Sequence, residues 1–393
     1  MNNFHSARRT LVVVASASAL TTAAAAPSLA DRPAASPHAK TRAALDAIVA
    51  HGTLGVVAGV MTGHRSWTHT AGIADRDSKR PRQPNEKFRI ASMSKPFTAT
   101  VLLKLEAAGK LSLDDSVEKW LPGVVRGKDY HPEAITVRHL LNHTSGIFNY
   151  NNDDGFRARY AGDAFDTNRY RLVSPRELTN IALAHPAVFQ PGKPHHWEYS
   201  DTNYILAGMV IEKVTGNRYE DEITKQLIQP LGLTDTSAPG TSPKVPEPHA
   251  RHYSTLFEDG PDAKVRDVTE FSPTVAWSAG QIISTTGDMN KFLSLLLRGK
   301  VLPPRQQRAM FDTVPVQGKD GHGGAEERYG LGIRKFKLKK GCWVWGHGGM
   351  LPGSASRTAA TTDGRHVLTM NRNGDWGDQN PEDAVVTAEF CGR

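Results

Sequence analysis

The hydrophobic pattern of this chain changes period twice, and that change constrains its fold more than any other feature. Leu54 to Thr62 and Ser66 to Gly72 read as two strands joined by a turn at Gly63-His64. From about residue 92 to 270 the pattern is helical and loop-rich. Beyond residue 325 it returns to strands over Tyr329 to Lys337, Cys342 to Gly346, Ala355 to Thr362 and His366 to Asn371, before a last helical stretch, Glu382 to Phe390. Strands at both ends with helices between are most simply satisfied by an α/β (α+β) fold. One antiparallel sheet is built from both termini and flanked by helices, with a mainly α-helical lobe inserted. The expected domain spans 41–393, its α/β lobe drawn from about 41–91 and 275–393 and its helical lobe from about 92–274.

Several helix signals carry their own mechanism. Thr41 to His51 is a helix candidate. In Ser174-Pro175-Arg176-Glu177 the hydroxyl caps, proline occupies the first turn and the glutamate reaches back. Thr136 can cap Val137 to His143. Asn203 to Thr215 has apolar residues at helical spacing and stops at Gly216, and Thr286 to Arg298 stops likewise at Gly299.

The N-terminus reads as a targeting segment. Met1 to Arg9 carries Arg8 and Arg9 without an acid, Leu11 to Ala26 is small and apolar, and Ser28-Leu29-Ala30 places small residues before Asp31. A secretory signal over 1–30 and a mobile Pro/Ala/Ser-rich stretch over 31–40 are therefore expected, and with them an exported protein. No later segment reaches 18 uninterrupted apolar residues, so no membrane span is expected. Outside the cell Cys342 and Cys391, the only 2 cysteines, can pair. The formal charge of +8 is unaccompanied by clustered Lys/Arg among stacking aromatics, which argues against a nucleic-acid partner. The 16 histidines include no metal-ligand spacing and no phosphate-binding loop is evident, so no metal or cofactor is expected.

Three segments can carry chemistry. Ser92-Met93-Ser94-Lys95 precedes the apolar-periodic run Phe97 to Ala108; at a helix start, Ser and Lys three apart lie on one face, where unpaired amides favour negative charge. A serine hydroxyl needs a neighbouring base to become a nucleophile, and an uncharged lysine can be that base. Tyr199-Ser200-Asp201, ahead of the helix from Asn203, offers a second proton carrier. Trp345-Gly346-His347-Gly348-Gly349 ends a strand. There small residues let a substrate backbone lie against the sheet edge, and His347 can hold a proton network.

Together these segments resemble the serine penicillin-recognising enzymes, whose pattern is S-x-x-K, then Y-x-N, then a [K/H]-[T/S]-G strand. The likeness runs from about residue 45 to the end. It is closest to the secreted, soluble D-alanyl-D-alanine carboxypeptidases, through Phe88-Arg89-Ile90-Ala91-Ser92, Ala107-Ala108-Gly109-Lys110-Leu111 and Ile135-Thr136-Val137-Arg138-His139-Leu140-Leu141. Tyr199 to Gly216, Tyr329-Gly330-Leu331-Gly332-Ile333-Arg334 and Phe390-Cys391-Gly392 extend it. The resemblance implies that Ser92 attacks the carbonyl to form an acyl-enzyme, that Lys95 takes its proton and that Tyr199 relays a proton to the leaving group. It implies an oxyanion hole of the Ser92 and Met350 amides, places His347 where many relatives have lysine, and matches Arg334 to the arginine that binds the peptide's terminal carboxylate.

Two departures stand out. Asp201 occupies the usual Asn position, and an ionised carboxylate cannot donate to a substrate carbonyl. Gly348 and Met350 replace hydroxyl residues, which removes donors for a peptide carboxylate. The implied function is a serine D,D-peptidase acting on peptidoglycan-type peptides, acylated by β-lactams and monomeric. The alternatives are an esterase or D-amino-acid amidase on the same scaffold, and a non-catalytic wall- or penicillin-binding protein.

Overall fold

Period-two alternation sends Val56, Ala58 and Val60 to one side of the first strand and Val57 to the other, and all four are buried. That strand is therefore covered on both faces, as an interior strand must be. The computed structural model describes Met1 and residues 37–127, 129–258, 260, 262–316, 326–338, 341–376 and 381–391. The expected targeting segment, apart from Met1, most of 31–40, and Lys339, Lys340 and Gly392 lie outside the described residues. From Lys40 onward the chain forms a single unit.

Among the described residues the main sheet has eight strands: β1 (Gly55–Thr62), β2 (Arg65–Gly72), β3 (Val314–Pro315), β4 (Glu327–Tyr329), β5 (Arg334–Lys337), β6 (Trp343–Leu351), β7 (Ser354–Ala360) and β8 (His366–Arg372). Their order is β2-β1-β8-β7-β6-β5-β4-β3, with every neighbouring pair antiparallel. Val56 faces Arg372 and Thr62 faces His366, so the first and last strands of the chain close the sheet together.

Two strand expectations are corrected. The stretch from Tyr329 to Lys337 is two strands, β4 and β5, because the chain reverses between them at Gly330 to Ile333. Gly332 has φ +78°, and a Cβ there would stand 2.8 Å from Ala99 Cβ and 2.9 Å from Lys95 O. Only glycine lets this turn sit on the helix that begins at Lys95. The strand expected to end at Gly346 continues to Leu351, which places His347 to Met350 inside the sheet.

Helices cover both faces. On one side α1 (Ala39–Ala50) contributes Leu45 and Ile48 to a cluster with Phe336, Val344, Leu368 and Met370, joined by Val385 and Val386 of the C-terminal helix Glu382–Cys391. A Cys342–Cys391 disulfide, Cα atoms 6.2 Å apart, ties that helix to the start of β6. On the other side lie α2 (Lys95–Ala107), α3 (Asp201–Thr215) and α4 (Thr286–Leu297), packed through Phe97, Val101, Leu102, Ile205, Phe292 and Leu296. Phe97 and Phe292 stack at 3.8 Å between ring centres. Every residue from Lys95 to Leu103 is buried, so α2 is an interior helix whose first side chain is an amine.

The cap hydroxyls act as expected, but the Glu177 side chain, expected to reach back to its cap, instead ion-pairs with Arg171 at 2.7 Å. Ser174 Oγ accepts the Glu177 amide at 3.1 Å, Thr136 accepts the His139 amide at 3.2 Å, and Gly216 closes α3 at φ 71°. Among the described residues no helix is long and apolar enough to cross a membrane.

Candidate active site

The serine and lysine meet because a 3-10 turn, Ala91–Ser94, runs directly into α2. Their side chains fall one turn apart, and Lys95 Nζ lies 3.0 Å from Ser92 Oγ. The turn is strained at its start, where Ala91 has φ +50°. It is held by Ile90 N donating to Ile282 O at 2.9 Å and by Ser94 Oγ accepting the Ile282 amide at 3.1 Å.

Lys95 Nζ has two further partners, Asp201 Oδ1 at 2.5 Å and the carbonyl of Ala279 at 3.0 Å. Three acceptors match the three N–H bonds of an ammonium, so the group is fully satisfied despite its burial. Asp201 opens α3; its Oδ2 accepts Asn151 Nδ2 at 2.7 Å and its amide donates to Asn149 Oδ1 at 3.2 Å. The expected pair Ser92/Lys95 and the Asn-to-Asp departure are thus one hydrogen-bonded cluster.

Tyr199 packs over the same amine, its ring centre 4.9 Å from Lys95 Nζ. Burial, then the charge of Asp201, pushes its phenol well above the ordinary value, and a hydrogen bond with Ser92 and the Arg334 charge only partly oppose this. It is held by a turn that sequence reasoning overlooked. Trp197 Nε1 donates to Asn142 O at 2.9 Å, Glu198 N to His143 O at 3.2 Å and Ser200 N to His143 Nδ1 at 3.2 Å. The His143 ring lies 4.4 Å from that of Tyr199, at φ +62° and wholly buried. Burial, then Lys95 and Arg334, hold its imidazole well below the usual range, so it is neutral. The signal was the polar run Asn142-His143-Thr144-Ser145 directly after an apolar helix, which spacing alone does not connect to Tyr199.

The sheet contributes β6. A Cβ on Gly349 would stand 2.2 Å from Ile90 O and 3.1 Å from Ala91 Cβ, so this glycine is what lets the strand touch the turn before Ser92. His347 is buried, its Nε2 3.0 Å from Tyr329 Oη and its Nδ1 2.5 Å from Gly348 O, with its ring 6.4 Å from that of Tyr199. Gly348 abuts Arg357, a Cβ there falling 3.2 Å from Nη1, and Met350 extends outward with 58% exposure.

Arg334, which the resemblance matches to a carboxylate-binding arginine, lies buried beside Tyr199. It is 1% exposed, ion-pairs with Glu327, and lies over the rings of Tyr199 at 5.2 Å, Tyr329 at 5.3 Å and Trp197 at 5.8 Å. On β5 it points inward with Phe336, while Lys335 and Lys337 alternate outward.

Beside the cluster is a cavity of about 340 Å³ to which Tyr150, Phe156, Tyr160, Phe165, Phe257 and Phe271 contribute aromatic walls, with Val275, Met350 and the charged Arg157 and Asp375 among the rest of its lining. Asn151, the partner of Asp201, lines it too. Among the described residues no group of His, Cys, Asp or Glu is arranged to hold a metal ion. The arrangement brings a hydroxyl, an amine, a phenol and a carboxylate together where helices meet the sheet.

Residues 41–389 match the Beta-lactamase family. The chain is 44% identical to a D-stereospecific amidohydrolase from Streptomyces sp., whose crystal structure it matches with a TM-score of 0.83 over 91% of this chain and 99% of that one. It is 28% identical to the D-amino acid amidase of Ochrobactrum anthropi SV3 complexed with D-phenylalanine, with a TM-score of 0.77 over 91% and 99% of the two chains. Over 343 residues it is 29% identical to penicillin-binding protein 4* of Bacillus subtilis (strain 168), covering 85% of this chain and 71% of that protein. Sheet, helical layer and sequence match agree: the chain belongs to the beta-lactamase family, the serine hydrolases of the β-lactamase and penicillin-binding-protein fold.

Proposed function

We propose that the protein hydrolyses the amide or ester bond of D-amino-acid derivatives with an aromatic or bulky apolar side chain, through an acyl-enzyme on Ser92. The aromatic-lined cavity beside Asn151 and Met350 carries this reading. Its volume is at the small end of the roughly 300–1,000 Å³ typical of small-molecule sites, which suits one side chain better than a polymer segment. The D-stereospecific amidohydrolase and the D-amino acid amidase among the similar structures support the configuration.

The chemistry runs through four side chains. The ammonium proton of Lys95 leaves to solvent by way of Asp201, which is left a carboxylate, and the Nζ lone pair then faces Ser92. Ser92 Oγ then attacks the carbonyl carbon as Lys95 Nζ takes its proton, and the Ser92 and Met350 amides receive the oxyanion. Tyr199, kept a phenol by burial, gives its proton to the leaving nitrogen or oxygen and regains one from Lys95. Water retraces the path to release the acid. The positive φ of Ala91 and the contact of Gly349 with Ile90 favour a preorganised attack geometry.

A peptide ending in D-alanine is also a D-amino-acid amide, so D,D-carboxypeptidase activity is a special case of this reading. The sealing of Arg334 by Glu327 argues that it is the weaker case, because the carboxylate clamp is engaged. Export is proposed as well, supported by the Cys342–Cys391 disulfide.

Initial rates on D-phenylalanine amide, L-phenylalanine amide and a D-Ala-D-Ala peptide test the assignment. The D-aromatic amide is expected to lead both others by about 100-fold or more, with the acyl group mapped to Ser92 by intact mass. Turnover confined to the D-Ala-D-Ala peptide, or undiminished in Ser92→Ala, overturns it.

A further inference from the structure

The aspartate that replaces the usual asparagine gives the site a polarity of its own. An asparagine amide can donate to the carbonyl of an N-acylated substrate, whereas an ionised carboxylate only accepts, and would repel that carbonyl. We infer that Asp201 Oδ2, with Asn151 beside it, receives the free α-ammonium of the substrate, so that the enzyme selects acyl donors whose amine is unblocked. This deepens the proposed function and rests on it, because it names which D-amino-acid derivatives the Ser92 site takes.

Four observations carry it. Asp201 keeps 14% side-chain exposure while its partner Lys95 has none, so the carboxylate is the part of the pair a ligand can reach. The two oxygens are used unequally: Oδ1 faces Lys95 Nζ at 2.5 Å, and Oδ2 accepts Asn151 Nδ2 at 2.7 Å. An sp² carboxylate oxygen has two lone pairs, so Oδ2 can take a second donor without breaking the first bond. Asn151 also lines the cavity, so the neutral partner of Oδ2 is itself part of the wall a substrate side chain would meet. Finally, the other buried cation nearby, Arg334, is ion-paired with Glu327. Among the described residues Lys95 is therefore the cation that Asp201 already holds, and its other partner, Asn151, is neutral.

The arrangement links recognition to reactivity. A substrate ammonium on Oδ2 competes with Lys95 for one carboxylate, and two cations so placed favour the uncharged amine that must deprotonate Ser92. An N-acetylated analogue supplies neither the donors nor the charge. Discrimination is therefore expected in kcat as well as in KM.

The test compares kcat/KM for D-phenylalanine amide and its N-acetyl derivative in wild type and Asp201→Asn. Wild type is expected to favour the free amine by at least about 100-fold. In D201N that ratio is expected to fall at least about tenfold, because the ammonium contact and its effect on Lys95 are lost for the free amine alone, while loss of the Lys95 counter-charge slows both substrates. The pH profile gives a second readout. Wild-type activity on the free amine falls as the substrate amine loses its proton near pH 8, the N-acetyl substrate shows no such limb, and D201N flattens it. Asn151→Ala is expected to lower the ratio less than D201N does. Equal wild-type use of both substrates, or a ratio unmoved in D201N, overturns the inference while leaving the D-amidase reading in place. If wild type hydrolyses neither compound the D-amidase reading fails, and competition of each against acylation of Ser92 by a penicillin still decides amine binding. Protection by the free amine alone supports it, and equal protection, or none, refutes it.

Discussion

Two cation–carboxylate pairs flank Tyr199, and they differ in one respect that decides their roles. Arg334 and Glu327 are both sealed, at 2% and 4% side-chain exposure, whereas Lys95 is sealed and Asp201 is not, at 0% and 14%. Each cation lies against the Tyr199 ring, at 5.2 Å for Arg334 and 4.9 Å for Lys95. A pair closed to water on both sides can only hold neighbours in place, while a pair with one reachable oxygen can also exchange a proton or meet a ligand. Likeness of residue type thus says little about role, and access to the carboxylate says most of it.

The comparison can be broken most sharply at Lys95. Replacing it with alanine removes the base that contacts Ser92 and is expected to lower kcat about 10³- to 10⁴-fold while the circular dichroism stays native. Loss of less than tenfold would mean that Tyr199 alone activates the serine. On the sealed side, Glu327→Ala leaves a buried guanidinium without its carboxylate and is expected to cost about 3–5 kcal/mol of stability. Chemical denaturation measures it, and a cost under about 1 kcal/mol would show that Arg334 is not confined as described. The open side should behave differently under the isosteric change. Asp201→Asn keeps an acceptor for Lys95 but removes the counter-charge of a buried amine, so it is expected to cost less stability than Glu327→Ala in the same denaturation, to slow every substrate and to change substrate choice as well.

Two pH limbs sharpen the comparison further, because both cations act on a neighbouring neutral ring. His143 is held below the ordinary imidazole range by burial and then by Lys95 and Arg334. A depressed folded value means that its contribution is present above the unfolded pKa of about 6.5 and is lost as pH falls below it. Asparagine tolerates positive φ and keeps an acceptor for the Ser200 amide, so His143→Asn is expected to soften the fall in melting temperature between pH 7 and pH 5. An identical acid slope in the variant would remove His143 from the account. Tyr199 has the opposite sign of shift. Its folded value is raised, so its contribution is intact below about pH 10 and is lost as pH rises beyond. Tyr199→Phe is expected to flatten that alkaline loss by a smaller amount, because Tyr204 and Tyr329 are raised in the same way.

Much of the machinery was legible because it depends on local order. Ser92 and Lys95 lie one helical turn apart whenever the segment starts a helix, and Tyr199 with Asp201 stands immediately before the helix that ends at Gly216. The sheet was legible through the alternation of its terminal strands. The reversal at Gly330 to Ile333 was not, because Tyr329 to Lys337 keeps an alternating pattern across a turn whose glycine is required by α2, far off in sequence. The destiny of Arg334 was hidden for the same reason. The resemblance implies a carboxylate-binding role, and only the pairing of β4 with β5 sets Arg334 beside Glu327 and under three aromatic rings.

By itself the sequence determined which groups can react: a hydroxyl and an amine on one helical face, a phenol and a carboxylate at the head of another helix, and a glycine-rich strand small enough to approach them. These are properties of residue type and short spacing, which backbone geometry converts directly into position. Only the tertiary structure decided which charges are sealed and which are reachable, that His143 is a neutral prop for Tyr199, and that six aromatic side chains from separate segments enclose one cavity. Burial and pairing depend on contacts that range from seven positions apart, Arg334 with Glu327, to 106 apart, Lys95 with Asp201, and each is made by a turn or an element packing that short-range spacing does not fix.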